Sequence, residues 1–330
     1  MSAFEAPPAK RPRTDDPPLE PTTITRSDIW HMDGSVILQA LTTQFRVHWG
    51  LLTMHSTVFK DMYALPQPNA SEPTVEGCPV VEVHDDPVDL QNLLKALYNP
   101  TYLLQDSLPF AVVAALIRLG RKYDFSDLFK AGVRRLTRDY PSTVEDFDCQ
   151  DTAKASILPY HGLHVDVLAL ARENNILSVL PVAFYSILHD YRHVEWLDGL
   201  ERPDGTKAVL APNELRICVT SSSRMFRIPL QTGYTFSWLY ESPSADICRC
   251  VTECSQWRLK ISQLFINFNS DYAGAALFPD PDQVEVFLQS SCLPCQNEIR
   301  KATQNGRKKA WEDLPSFFGL PGWDELTNEV

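Results

Sequence analysis

Five of the eight cysteines in the 330-residue sequence fall in two short groups, Cys248-Arg249-Cys250-Val251-Thr252-Glu253-Cys254 and Cys292-Leu293-Pro294-Cys295. The C-x3-C of Cys250 and Cys254 and the C-x2-C of Cys292 and Cys295 can each set two thiols on one side of a turn or helix. Brought together, such pairs make a tetrahedral sulfur site, the donor set of structural zinc. The candidate ligands are therefore Cys250, Cys254, Cys292 and Cys295, with Cys248 a spare that can substitute for Cys250. A metal clip across a loop of ~40 residues would offset its closure entropy, in a stretch where Ser242, Pro243, Ser244 and Asp246 bring little apolar surface. The competing reading is that cysteine serves as a small buried hydrophobe. A thioredoxin-like redox role needs a C-x-x-C opening a helix beside a βαβ pattern, and no such pattern is present.

Histidines offer less. His48 and His55 have no nucleophile or carboxylate partner at useful spacing, so they read as packing and hydrogen-bonding residues. His189 and His193 stand four apart on what reads as the last turn of one helix, a spacing that can share a metal. The intervening Asp190-Tyr191-Arg192 lacks the glutamate of a helical metalloprotease motif, and cations at a helix C-terminus interact favourably with its dipole. No phosphate-cradling glycine loop, activated nucleophile or catalytic carboxylate pair stands out among only 13 glycines, so no catalytic or cofactor-binding residue is assigned and the expected protein is not an enzyme.

Charge narrows the partners. A net charge of −12 repels phosphate backbones, so nucleic-acid binding needs a local basic patch. Two exist: Lys10-Arg11-Pro12-Arg13, and the cluster of Arg300, Lys301, Arg307, Lys308 and Lys309. Glu298, Glu312 and Asp313 surround the second, which favours a solvated helix over a nucleic-acid face. The first is compatible with a nuclear import signal. With 44% hydrophobic and 22% charged residues, and neither a span of ~20 apolar residues nor a secretory leader, the reading is a protein of the nucleus, the cytoplasm or both, without membrane insertion.

The elements that position these residues follow a change of pattern. Residues 1–26 are proline-rich and poor in large apolar side chains, which predicts a disordered tail. Val36-Ile37-Leu38 and Phe45-Arg46-Val47 flank Thr42-Thr43-Gln44 and predict a hairpin. Leu51, Leu52, His55, Val58, Phe59 and Met62 then recur at helical spacing, with Ser56 placed to cap a second short helix. A third strand over Val80 to Val83 precedes Asp86 as N-cap, Pro87 at the first helical position and Asp89 in the first turn. Apolar helices follow over Phe110 to Tyr123 and from Ser126 to the stop at Tyr140-Pro141. This order is not the repeated βαβ of a nucleotide-binding sheet.

The strings Val36-Ile37-Leu38-Gln39, Phe45-Arg46-Val47-His48 with Leu51-Leu52, and His55-Ser56-Thr57-Val58-Phe59-Lys60-Asp61-Met62 resemble the core of the BTB/POZ family, in the phrasing of its fungal, basidiomycete-type members. Leu97-Tyr98, Leu119 to Phe125 and Tyr140-Pro141 continue the resemblance in order. The closing run from Trp311 to Trp323 resembles the end of many basidiomycete BTB proteins. The resemblance implies protein–protein binding, as a homodimer through this domain or by docking to the cullin scaffold of a ubiquitin ligase. Cullin-binding members carry a hydrophobic-x-Glu element before the later helices, whereas this chain has Leu104-Gln105-Asp106.

After the connector, Val165, Val167, Leu168, Leu170, Ala171 and Ile176 resume helical periodicity, a Pro181-initiated helix carries Val182, Phe184, Ile187 and Leu188, and Asn213 is placed to cap another helix through Phe226. The expected fold is α+β: a tail over 1–26, a BTB/POZ domain with a small mixed sheet and helical hairpins over 27–141, a helical extension over 142–200, and a mainly helical cysteine-containing region over 201–330. The expected function is a non-enzymatic interaction adaptor, with a nuclear transcription-associated regulator as the alternative. No cofactor is required beyond the zinc that the cysteines suggest.

Overall fold

The computed structural model describes residues 23–65, 74–150, 154–242, 246, 248–268, 277–279 and 281–329. The basic run Lys10 to Arg13 and the residues Pro243 and Ser244 lie outside them.

The predicted hairpin is β2 (Val36–Ala40) and β3 (Thr43–Val47), paired antiparallel with Leu38 opposite Phe45. Its turn is tighter than the sequence indicated: Thr43 and Gln44 belong to the strand, and Leu41 bends the chain at φ 51°. Both strands are buried because successive side chains enter packed layers on the two sheet faces. β4 (Thr74–Val75) and β5 (Cys78–Val83) complete one side, β5 running parallel to β2. On the other side β1 (Thr25–Trp30) lies parallel to β3, giving the order β1-β3-β2-β5-β4. Nothing in Thr25-Arg26-Ser27-Asp28 announces a strand, since an edge position with only Ser27, Ile29 and Trp30 partly covered demands no apolar alternation.

Five helices support the sheet: α1 (Trp49–His55), α2 (Thr57–Ala64), α3 (Pro87–Tyr98), α4 (Phe110–Lys122) and α5 (Ser126–Asp139). The predicted caps are present. Ser56 Oγ accepts the amide of Phe59 at 3.0 Å, and an Asp86 carboxylate oxygen accepts the amide of Val88 at 2.7 Å with Pro87 opening α3. Helices α4 and α5 cross closely because both contribute glycine: a Cβ on Gly132 would stand 2.8 Å from Ile117 Cγ1, and one on Gly120 3.0 Å from Phe129 Cα.

The rest of the described chain is mainly helical. α6 (Val144–Asp148), α7 (Leu163–Glu173), α8 (Leu180–Asp190) and α9 (His193–Asp198) lead to the short hairpin of β6 (Leu200–Glu201) and β7 (Lys207–Ala208). α10 (Pro212–Arg227), α11 (Val251–Phe268), α12 (Pro281–Leu288) and α13 (Leu293–Phe317) follow. Two sequence expectations are corrected. His189 and His193 do not share a helix, because the chain turns extended at Tyr191 and Arg192 and His193 opens α9. α10 is capped by Ala211 with Pro212 inside its first turn, so Asn213 is a helical residue and not the cap. None of the described helices is long and apolar enough to cross a membrane.

The larger hydrophobic core runs without a break from Val36 and Phe45 through Leu116 and Ile117 to Leu168, Phe184, Leu314 and Phe317. The end of α13 and the tail behind it close over the preceding helices. Trp311 Nε1 donates to the carbonyl of Ser142 at 3.0 Å, Trp323 Nε1 donates to that of Trp311 at 2.7 Å, and Glu329 pairs with Arg121. A smaller, separate core gathers Phe236, Trp238, Leu239, Trp257, Val284, Leu288 and Ile299 with Cys248, Cys254 and Cys295. Gly306 lets α13 touch the peptide between Tyr234 and Thr235, which a Cβ there would overlap.

Candidate metal centre and interaction surfaces

The two cysteine groups meet inside the smaller core. Cys250 and Cys254 span the first turn of α11, the Cys254 amide donating to the Cys250 carbonyl at 3.0 Å, and their Sγ atoms stand 3.6 Å apart. Cys292 is the residue that precedes α13, whose first turn contains Pro294, and its Sγ lies 3.8 Å from that of Cys248. The four sulfurs of Cys248, Cys250, Cys254 and Cys292 all lie within 4.8 Å of one another. Cys248 and Cys254 are buried, Cys250 and Cys292 half-buried.

Three of the residues singled out in the sequence, Cys250, Cys254 and Cys292, thus sit together. The fourth, Cys295, is buried one turn into α13 and borders Cys248, Cys292 and Cys254 from the core side. Cys248 takes a place in the tight set. Residues two apart do not face each other along a helix, which makes Cys248 and Cys250 look like alternatives; Cys248 precedes α11, so both thiols reach one point.

The thiols are electrostatically unlike. The backbone amide of Cys295, supported by that of Arg249, pulls the Cys292 thiol below the usual cysteine range. Hydrogen bonding to Cys254 and then burial push Cys250 up, and burial pushes Cys295 up. Four soft donors around one point suit a tetrahedral metal ion.

Of the two histidines singled out in the first module, His48 is held by hydrogen bonds and His55 is not buried. His48 Nδ1 meets Tyr98 Oη at 2.9 Å and its Nε2 faces Asp33 at 3.1 Å. His55, expected to pack, is exposed on the last turn of α1, where its place beside Ser56 turns it outward. The second basic cluster is tied into the molecule: Arg300 makes a forked pair with Glu285 at 2.6 and 2.8 Å, Arg307 pairs with Asp148, and Lys309 lies 4.8 Å from the centre of the Tyr234 ring.

Two surfaces of the first module present apolar side chains. In the α1–α2 hairpin Leu52 and Phe59 are the apolar side chains that are fully buried, while Met54, Tyr63 and Leu65 are exposed and Trp49 stacks obliquely on Tyr63 at 5.4 Å. The second is the loop between α3 and α4. The Arg135 guanidinium donates to the carbonyls of Leu103, Gln105, Asp106 and Ser156 at 2.7–3.1 Å, and Leu104, 79% exposed, projects from the clamped segment. A groove of about 560 Å³ between α4 and the β6–β7 hairpin has its charge answered internally, since Arg202 makes a forked pair with Asp166, which also accepts from Tyr160.

A short mixed sheet carried on helical hairpins, with Met54, Tyr63, Leu65 and Leu104 exposed, differs from the repeated βαβ of a nucleotide-binding sheet. Over residues 32–139 the sequence matches the BTB/POZ domain family, so the chain carries a BTB/POZ domain, a protein–protein interaction module, followed by a mainly helical region. No curated protein matches the chain.

Proposed function

We propose that this protein is an adaptor that pairs with a second copy of itself through the α1–α2 hairpin of its BTB/POZ domain and holds a further protein on its helical region. The observation that carries the reading is the exposed apolar set of Met54, Tyr63 and Leu65 on a hairpin that fully buries two apolar side chains, Leu52 and Phe59. A contiguous apolar face rimmed by polar residues marks an interface, and a two-fold pair covers the same face on both copies. β1 is an edge strand, with no partner strand on its outer side among the described residues. The fungal-type phrasing of the sequence, from Val36 to the closing Trp311–Trp323 run, agrees with this assignment.

Light scattering on the full chain tests the reading. A dimer that Met54→Glu with Tyr63→Glu converts to a folded monomer is the expected result. A wild-type chain that stays monomeric well above micromolar concentration sinks it.

Exposed Leu104 supports a second reading, in which Leu104-Gln105-Asp106 docks on a cullin scaffold and the protein presents substrates to a ubiquitin ligase. Aspartate in place of glutamate shortens the acidic arm by one methylene. A purified cullin retained by the wild type but not by Leu104→Ala supports this role. Recovery of chromatin factors from nuclei without a cullin favours a transcription-associated regulator, a role for which Lys10 to Arg13 would supply import.

A further inference from the structure

We propose that Cys248, Cys250, Cys254 and Cys292 form a four-thiolate site for a structural zinc ion that fastens the start of α11 to the start of α13. The site lies outside the BTB/POZ domain, and the inference does not rest on the adaptor reading.

The geometry is the first support. With Zn–S bonds of ~2.3 Å, neighbouring sulfurs of a tetrahedral site stand ~3.8 Å apart. The two contacts at 3.6 and 3.8 Å have this edge length, and all four sulfurs fall within 4.8 Å of one another. Small rotations of the side chains close the remaining edges around one centre. The ligands come from three backbone settings: a segment ahead of α11, the first turn of α11, and the residue that caps α13. A metal there restrains all three at once.

The second support is the company these cysteines keep. Among the described residues the smaller core is separate from the larger one, and three of its ten buried members are cysteines. Small units are commonly stapled by a metal. Clustering four thiols serves poorly as hydrophobic packing, because a leucine or valine in each place would bury more apolar surface. Zinc in place of four thiol protons, which pass to solvent on binding, supplies the missing cross-link.

Cys295 is left over. It is 2% exposed, its thiol touches those of Cys248, Cys254 and Cys292, and it falls outside the set whose sulfurs all lie within 4.8 Å of one another, which leaves it a packing role. This departs from a C-x2-C ligand pair and gives the proposal a distinguishing test.

The experiment measures metal in the full chain purified under reducing conditions without chelator. One zinc per chain is expected, and cobalt(II) loaded in its place should give the intense visible absorption of a tetrahedral thiolate site. Cys248→Ser, Cys250→Ser, Cys254→Ser and Cys292→Ser should each lose most of the zinc, whereas Cys295→Ser should retain it. If those variants do not fold, the wild type still decides: a strong chelator should lower its thermal midpoint and open the thiols to a thiol reagent. Protein free of zinc, iron in its place, or a midpoint that does not move when metal is stripped each overturns the site. Zinc that depends on Cys295 and not on Cys248 overturns the ligand set.

Discussion

Ser56 Oγ joins two segments 67 residues apart: it accepts the amide of Phe59 at 3.0 Å and donates to the carbonyl of Tyr123 at 2.5 Å. One buried hydroxyl thus caps α2 and satisfies the end of α4, where the chain turns into α5. Ser56→Ala removes the cap and leaves a buried carbonyl without its partner. The expected loss is about 2 kcal/mol, the sum of a cap and an unsatisfied acceptor. Urea unfolding of the full chain measures it. A loss below about 0.5 kcal/mol would mean that water replaces the hydroxyl at both positions.

Asp190 predicts an acid-sensitive contribution to stability. Its Oδ2 lies 2.8 Å from His164 Nε2 and its Oδ1 2.6 Å from His189 Nδ1, and His164 Nδ1 continues to Tyr140 Oη at 2.7 Å. Burial opposes the charge, but hydrogen bonds and charge from His164 and His189 outweigh it and hold the carboxyl well below the usual range. A carboxyl whose value is lower folded than unfolded stabilises the fold above its unfolded value, ~3.9, and loses that contribution as pH falls through the folded value. The side chain is 44% exposed, so screening limits the effect to about 1 kcal/mol. Asp190→Asn should therefore lower stability by that amount at neutral pH, with the gap to wild type narrowing below about pH 4. A gap that is unchanged down to about pH 3 excludes the carboxylate as its source.

Local signals were legible in the sequence wherever one residue type has one physical use. Asp86 followed by Pro87, Ser56 before Phe59, and the β-branched run at Val36 each specified an element that the structure contains. β1 was not legible, because an edge strand with one covered side accepts Thr, Ser and Asp without penalty. The break between α8 and α9 was hidden in the same way: His189 and His193 keep helical spacing across a turn at Tyr191 and Arg192, where Tyr191 and Trp196 are buried. For the cysteines, spacing singled out Cys250, Cys254 and Cys292, which the fold brings together with Cys248. Whether Cys248 or Cys295 completes the tight set depends on where α11 and α13 begin, and helix starts are defined by tertiary contacts as much as by sequence.

Arg135 presents the last prediction, because it shapes a surface without belonging to it. Its guanidinium serves four backbone carbonyls, of Leu103, Gln105, Asp106 and Ser156, and so joins the loop before α4 to the strand-like contact of Leu108 with Ile157. A planar fork can reach several acceptors at once, whereas the ammonium of lysine is a single point on a flexible stem. Arg135→Lys keeps the charge and loses most of these bonds, so the amides of residues 103–108 should exchange with solvent about tenfold faster, equivalent to about 1.4 kcal/mol of local opening. Amide hydrogen exchange reads this directly, with α7 and α8 as internal references that should not change. If the loop serves a partner through Leu104, the same variant should weaken that partner's binding while Leu104 itself is intact, because ordering the loop then has to occur on association. Unchanged exchange over residues 103–108 would show that packing of Tyr102 and Leu103 on the core suffices to hold the loop, and that the four hydrogen bonds accompany its order without causing it.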